Sequence, residues 1–313
     1  LKSIVLSGCG NIGFRHLQAM LAMPDPAEII IVEPNAAAHE RIAALFAPAE
    51  AKGFRFDLRT AVPAASRRFD LAVIATSADI RRAAFDALIG SHEVGVMILE
   101  KVLFQTKADL EEVGQILTDR GIAAYVNCPR RYFPGYRALL SSVASKRPLN
   151  LAIRGAGFGL ASNGVHLIDL AEYLNDATLI SFEASGLKDG SVTAKRAGCV
   201  EVFGVVNGTL SNGAKLSISC DSSDAISISV ALQGSEFVAE IDEMARQISI
   251  GSSHAVAFSS KFVSELWEIY NEALNTGRCG LTPYEDSARQ HRFFLAALTK
   301  HLKLDPNSPC PIS

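Results

Sequence analysis

The segment Gly8-Cys9-Gly10-Asn11-Ile12-Gly13 constrains the fold of this chain more than any other, because it joins a short apolar run (residues 3–7) to a stretch with apolar residues at helical spacing (12–21). In that context each glycine has a mechanical role. Gly8 makes a tight turn, Gly10 lets a ligand approach the backbone, and Gly13 lets helix pack on strand. The same alternation continues. Strands are expected at 29–33, 54–58, 71–75, 96–99 and 123–127, and helices at 36–45, 80–89 and 107–120. Such a pattern describes a doubly wound α/β Rossmann domain with a parallel sheet.

The helix that opens after the glycines presents free N–H groups and a positive dipole end, which suits a pyrophosphate. Glu33 ends the second strand at the spacing where a carboxylate accepts hydrogen bonds from the adenosine ribose. A carboxylate there repels a 2′-phosphate, and Pro34 and Asn35 bring no arginine to offset it, so NAD is expected and NADP disfavoured. An ordinary strand–helix turn with a solvated Glu33 is the plainer alternative.

A chain of 313 residues exceeds one ordinary core, and its character changes after Arg130. From about residue 179 to 250 it becomes serine-rich and alternates at period two, as in residues 215–220 and 226–232, while Asn207-Gly208 and Asn212-Gly213 offer turn chemistry. The expectation is a Rossmann domain over 1–127 followed by an α+β domain over 128–313 with a large, mainly antiparallel open sheet. Its serine-lined face suits a second copy of the chain, giving a homo-oligomer. Toward the end, 259–274 reads as an amphipathic helix, and Thr282-Pro283-Tyr284-Glu285 reads as a capping box opening a helix over 283–301.

Composition excludes several classes. Hydrophobic residues make up 49% and charged residues 20%, with a net charge of −3 and no basic cluster, which argues against a nucleic-acid partner. The apolar runs are strand-length, which argues against a membrane span. The first residues read as a strand rather than a secretory leader, so cytoplasmic residence is expected. Six dispersed cysteines form no metal or redox spacing; they read as reduced and structural, Cys9 included, with no metal expected.

Further motifs resemble those of the Gfo/Idh/MocA oxidoreductases, the glucose–fructose oxidoreductase and inositol dehydrogenase family, along nearly the whole chain. Besides the glycine loop, Thr76-Ser77 follows an apolar strand as in the family's A-T-P loop, and Glu100-Lys101-Val102 is similar to E-K-P. Arg130-Arg131-Tyr132-Phe133-Pro134 is similar to R-R-F-x-P, and Gly164-Val165-His166-Leu167-Ile168-Asp169 to G-x-H-x-x-D. The resemblance implies hydride transfer between a nicotinamide and a hydroxyl or carbonyl carbon of a sugar, polyol or nucleotide-linked sugar held between two domains.

It implies cofactor contacts from Gly8 to Gly13, Glu33, Thr76, Ser77, Glu100 and Lys101, and substrate contacts from Arg131, Ser162, Asn163 and His166. His166, whose imidazole titrates near neutrality, becomes the general base, and Lys101 the stabiliser of a developing alkoxide. Taken alone, Lys101 also reads as a solvated strand end and His166 as a core histidine beside Asp169. Ser162 stands where the family commonly has an aspartate and carries no charge. That departure keeps open a catalytically silent dinucleotide-binding regulator, and the substrate residues leave open a reductase of a non-sugar carbonyl or imine.

Overall fold

In the computed structural model, which describes residues 1–313, the apolar runs of the first part pair in parallel, and the central strands are buried on both faces. The order of elements is β1 (Lys2–Ser7), α1 (Asn11–Met20), β2 (Ala27–Val32), α2 (His39–Ala43), α3 (Phe46–Glu50), β3 (Arg55–Arg59), β4 (Arg68–Ile74), α4 (Ala78–Ser91), β5 (Glu93–Leu99), α5 (Lys107–Asp119) and β6 (Ala123–Val126). The sheet runs β6-β5-β4-β1-β2-β3, and the strand Thr282–Pro283 adds to β6 antiparallel. Ile4, Leu6, Ile29, Ile31, Leu71 and Val73 fill its core. This is the doubly wound Rossmann arrangement.

Two compact units make up the chain, and the first comprises Leu1–Phe104, Asp109–Asn127 and Lys261–Glu285. A single cut after Asn127 therefore misses a returning segment. It is tied in through Thr282 pairing with Val126, and through the Tyr284 hydroxyl donating to the Leu110 carbonyl at 2.9 Å.

The second unit contains α6 (Pro134–Val143), β7 (Asn150–Ala156), α7 (Leu160–Asn175), β8 (Leu179–Leu187), β9 (Val192–Thr193), β10 (Val200–Glu201), β11 (Gly204–Leu210), β12 (Lys215–Asp221), β13 (Ser227–Gln233), β14 (Val238–Asp242), β15 (Gln247–Ile250) and β16 (Val256–Ala257). Eight strands form one sheet, ordered β16-β15-β14-β13-β7-β12-β11-β8; β7 and β12 pair in parallel and the other neighbours antiparallel. One face carries Ile153, Val206, Ile218 and Val230 into the core beneath α7. The other mixes small polar side chains such as Ser217 and Thr209 with the charged Arg154 and Glu183. The remaining helices are α8 (Trp267–Thr276) and α9 (Tyr284–His301), and Phe294 of α9 lies against Gly164 of α7, where an added Cβ would sit 2.8 Å from its ring. No helix is long and apolar enough to cross a membrane.

Four local expectations need correction. Asn207 and Gly208 lie inside β11, because the alternation of half-exposed Val205, Asn207 and Thr209 with buried Val206, Gly208 and Leu210 runs straight through them. Asn212-Gly213 does make the turn, with Gly213 at φ +88°. Residues 36–45 form a 3₁₀ turn and the short α2 rather than one helix, since Ile42 alone is buried there. The helix expected over 259–274 starts only at Trp267, after a 3₁₀ turn whose Glu265 side chain accepts the Phe262 amide. Pro283 belongs to the edge strand on β6, and α9 begins one residue later.

Candidate functional site

The glycine loop of the first unit is shaped by backbone contacts. Gly8 has φ +83°, and a Cβ on it would lie 2.9 Å from the Thr76 amide nitrogen. A Cβ on Gly13 would fall 2.0 Å from the Gly8 carbonyl, so helix and strand touch there. At Gly10 a Cβ would meet nothing within 4 Å, so the loop opens outward at the start of α1. No side chain caps that start, and the first amides of a helix have no partner within it. Thr76 Oγ1 is buried beside the loop with no hydrogen-bond partner in the protein. Bare amides, open space and an orphaned hydroxyl fit a dinucleotide phosphate.

Glu33, nearly buried just past β2, is held in place: Oε2 accepts the Cys9 amide at 2.7 Å and Oε1 the Asn35 amide at 2.9 Å. Burial, aided by Glu33, pushes the Cys9 thiol up to about 12, so it is a neutral filler of the turn. Asn11 is exposed, Ile12 half-buried, and Ser77 precedes α4 in extended conformation. Arg41, which the sequence reading missed, reaches this loop; it donates to Asn11 Oδ1 at 3.3 Å and lies 4.5 Å over the Phe14 ring.

Glu100 ends β5 within a buried polar relay. Its Oε1 accepts from His16 Nε2 at 2.9 Å and Asn127 Nδ2 at 2.5 Å, and its Oε2 accepts the Lys101 amide at 3.1 Å. Burial alone would raise its carboxyl, but the bonds from His16 and Asn127 and the charge of Lys101 hold it below the usual range. An ionised carboxylate only accepts, so His16 donates from Nε2, and its Nδ1 is hydrogen-bonded to the Tyr270 hydroxyl at 2.6 Å. Arg81, almost fully buried in α4, donates to the carbonyls of Thr76, Val102 and Leu103, the last at 2.8 Å. One guanidinium thus fixes the loops bearing Thr76 and Lys101.

In the second unit the candidate substrate residues gather on the first turns of α7. Gly159, at φ +78°, precedes it; Ser162 and Asn163 lie on its first turn and His166, 9% exposed, on its second. Asn163 Nδ2 donates to the Phe158 carbonyl at 2.5 Å and to Ser162 Oγ at 3.3 Å.

Arg131, offered by the sequence as a substrate contact, grips Asp169 with a two-pronged bond, Nε to Oδ2 at 2.9 Å and Nη2 to Oδ1 at 2.7 Å. Its guanidinium also lies 5.1 Å over the Tyr173 ring. Gln290 Nε2 links Asp169 to Glu172 at 3.3 and 2.7 Å, and Arg289 binds Glu172 at 3.0 Å. Burial raises the Glu172 carboxyl, Asp169 adds to this, and the Leu179 amide, Gln290 and Arg289 oppose it. Arg130 is likewise engaged, by two bonds of 2.7 Å to Glu243.

No protein-family model and no curated protein matches the sequence. Solved structures do match. UDP-N-acetylglucosamine 3-dehydrogenase GnnA from Acidithiobacillus ferrooxidans is similar at 17% identity and a TM-score of 0.69, over 97% of this chain and 98% of that one. An oxidoreductase from Agrobacterium radiobacter, solved with NAD+, L-tartaric acid and magnesium, is 15% identical with a TM-score of 0.73, over 97% of each chain. GenD2 from gentamicin A biosynthesis, solved with NAD, is 15% identical with a TM-score of 0.67, over 97% of this chain and 95% of that one. The fold is that of Gfo/Idh/MocA-type dehydrogenases, as the motifs implied.

Proposed function

We propose that the protein is an NAD-dependent oxidoreductase acting on a hydroxyl or carbonyl carbon of a sugar, polyol or nucleotide-linked sugar. The observation that carries this reading is the uncapped start of α1, open at Gly10 and flanked by an anchored Glu33. When bound, the cofactor supplies the carbon that accepts or gives hydride. The amides of residues 11–13 hold its pyrophosphate, Glu33 accepts from the ribose hydroxyls, and Thr76 and Ser77 line the same loops. Similar structures solved with NAD, and one named as a nucleotide-sugar dehydrogenase, support NAD and a sugar-type substrate.

Lys101, whose ammonium adds to the field that keeps Glu100 ionised, is the cation for a developing alkoxide. His166 is the base that takes the hydroxyl proton, with Ser162 and Asn163 binding neighbouring oxygens. Arg131 acts by fixing Asp169 on α7. Titration with reduced coenzyme, followed by fluorescence, is expected to saturate, and one member of a sugar and nucleotide-sugar panel to be turned over, with the rate collapsing in His166→Ala. Absence of saturation overturns the reading. Turnover of carbonyls or imines but not sugars transfers it to the reductase alternative, and binding without any turnover to the silent regulator.

The exposed face of the second sheet is the self-association surface in this reading. Arg154, Glu183, Asn207, Thr209 and Ser217 line a shallow concavity of about 680 Å³, with charges of both signs that suit pairing with a second copy. Sedimentation of Ser217→Arg is expected to show a smaller species than wild type.

A further inference from the structure

The first turn of α7 is met by a side chain from elsewhere in the second unit. Glu201, at the end of β10, accepts the Ala161 amide on Oε2 at 2.8 Å and the Ser162 amide on Oε1 at 3.1 Å. The Ser162 hydroxyl donates to the same Oε1. A carboxylate on the open amides of a helix is favourable, because it satisfies orphan donors and meets the positive end of the dipole. The space is built for this pair: a Cβ on Gly159 would lie 2.5 Å from Ser162 Oγ and 2.7 Å from Glu201 Oε1. β10 is itself fixed by pairing with β9 and by the Val200 amide donating to the Pro311 carbonyl at 2.8 Å.

A serine hydroxyl has one proton. With a carboxylate beside it that proton points to Glu201, and Oγ is left as an acceptor, already facing Asn163 Nδ2. The other charged groups near α7 are matched: Arg131 with Asp169, Arg289 with Glu172, Arg130 with Glu243, and Lys188 with Asp221 of β12. On α9, His291 is bonded to the Ser287 carbonyl, and on α6 Arg137 donates to the Arg131 carbonyl. The Cys220 thiol of β12 is pushed up by burial and stays neutral.

We propose that Glu201 is a positioning residue of the α7 site: through the Ser162 hydroxyl it supplies, one helical turn before His166, the fixed negative charge that residue 162 cannot carry. Such a charge favours the imidazolium formed when His166 accepts a proton. The role of His166 in chemistry rests on the function proposed above; its coupling to Glu201 does not.

The test follows the His166 ring by NMR titration, its signal identified by disappearance in His166→Gln. In Glu201→Gln the midpoint is expected at lower pH, and adding Ser162→Asp to that variant is expected to move it back. An unmoved midpoint in folded Glu201→Gln, or no restoration by Ser162→Asp, overturns the proposal. Should Glu201→Gln not fold, Glu201→Asp keeps the charge but withdraws it by one methylene; it must also lower the midpoint, and a wild-type midpoint there overturns the proposal. The titration needs neither coenzyme nor substrate, so it stands or fails apart from the coenzyme binding that tests the dehydrogenase reading.

Discussion

Two helix starts, that of α1 and that of α7, meet the same electrostatic demand in opposite ways. At α1 the chain withholds a cap: Gly10 has no side chain, the Cys9 amide is turned aside to Glu33, and the next amides face outward. At α7 the chain brings its own carboxylate, Glu201. A helix end left bare receives an outside anion, whereas one neutralised internally frees its side chains for handling protons and hydroxyls. In the function proposed above, the contrast separates coenzyme binding from proton chemistry.

The largest expected effect lies on α7. Asp169→Ala removes a fully buried carboxylate and leaves the half-buried guanidinium of Arg131 without its partner, and urea denaturation should show a loss of about 3–5 kcal/mol. Around α1 the same experiment separates two glycines. Gly13→Ala drives a methyl into the Gly8 carbonyl and should cost roughly 1–3 kcal/mol together with coenzyme binding. Gly10→Ala points into open space, so stability should stay within about 0.5 kcal/mol of wild type while coenzyme affinity falls. Wild-type coenzyme affinity in Gly10→Ala would break the comparison outright.

Glu33→Ser should weaken NAD about tenfold by calorimetry, the worth of one good hydrogen bond, and relax the preference over NADP because Arg41 remains at the loop. The smallest effect concerns pH. Glu172 holds its proton more tightly folded than unfolded, so its ionisation opposes folding as pH rises from the unfolded carboxyl value through the raised folded one. Glu172→Gln should therefore gain stability relative to wild type as pH rises through that window, read from urea midpoints.

What was legible in the sequence was local. The glycine loop, Glu33 and α5 are set by neighbours in the chain, and their spacing revealed them. β7 escaped notice because its Arg154-Gly155 interrupts the apolar alternation, although its position between β12 and β13 makes it central. Asn207-Gly208 shows burial periodicity overriding turn preference. The partners of the site were hidden for a different reason: His16 with Glu100, Arg81 with Leu103, and Glu201 with Ser162 meet only after folding, and no spacing rule encodes them. Ser162 alone read as a lost charge, because the carboxylate its hydroxyl meets comes from another strand.

The bond from Val200 to Pro311 ties β10 to the last residues of the chain, where Gln105 also receives the Cys310 amide on its carbonyl and donates its side-chain amide to the Ile312 carbonyl. Residues 310–312 therefore work as a clasp. Replacing Pro311 and its neighbours would leave the Rossmann sheet untouched yet loosen the grip on α7, which in the proposed function separates a protein that still captures coenzyme from one that can use it.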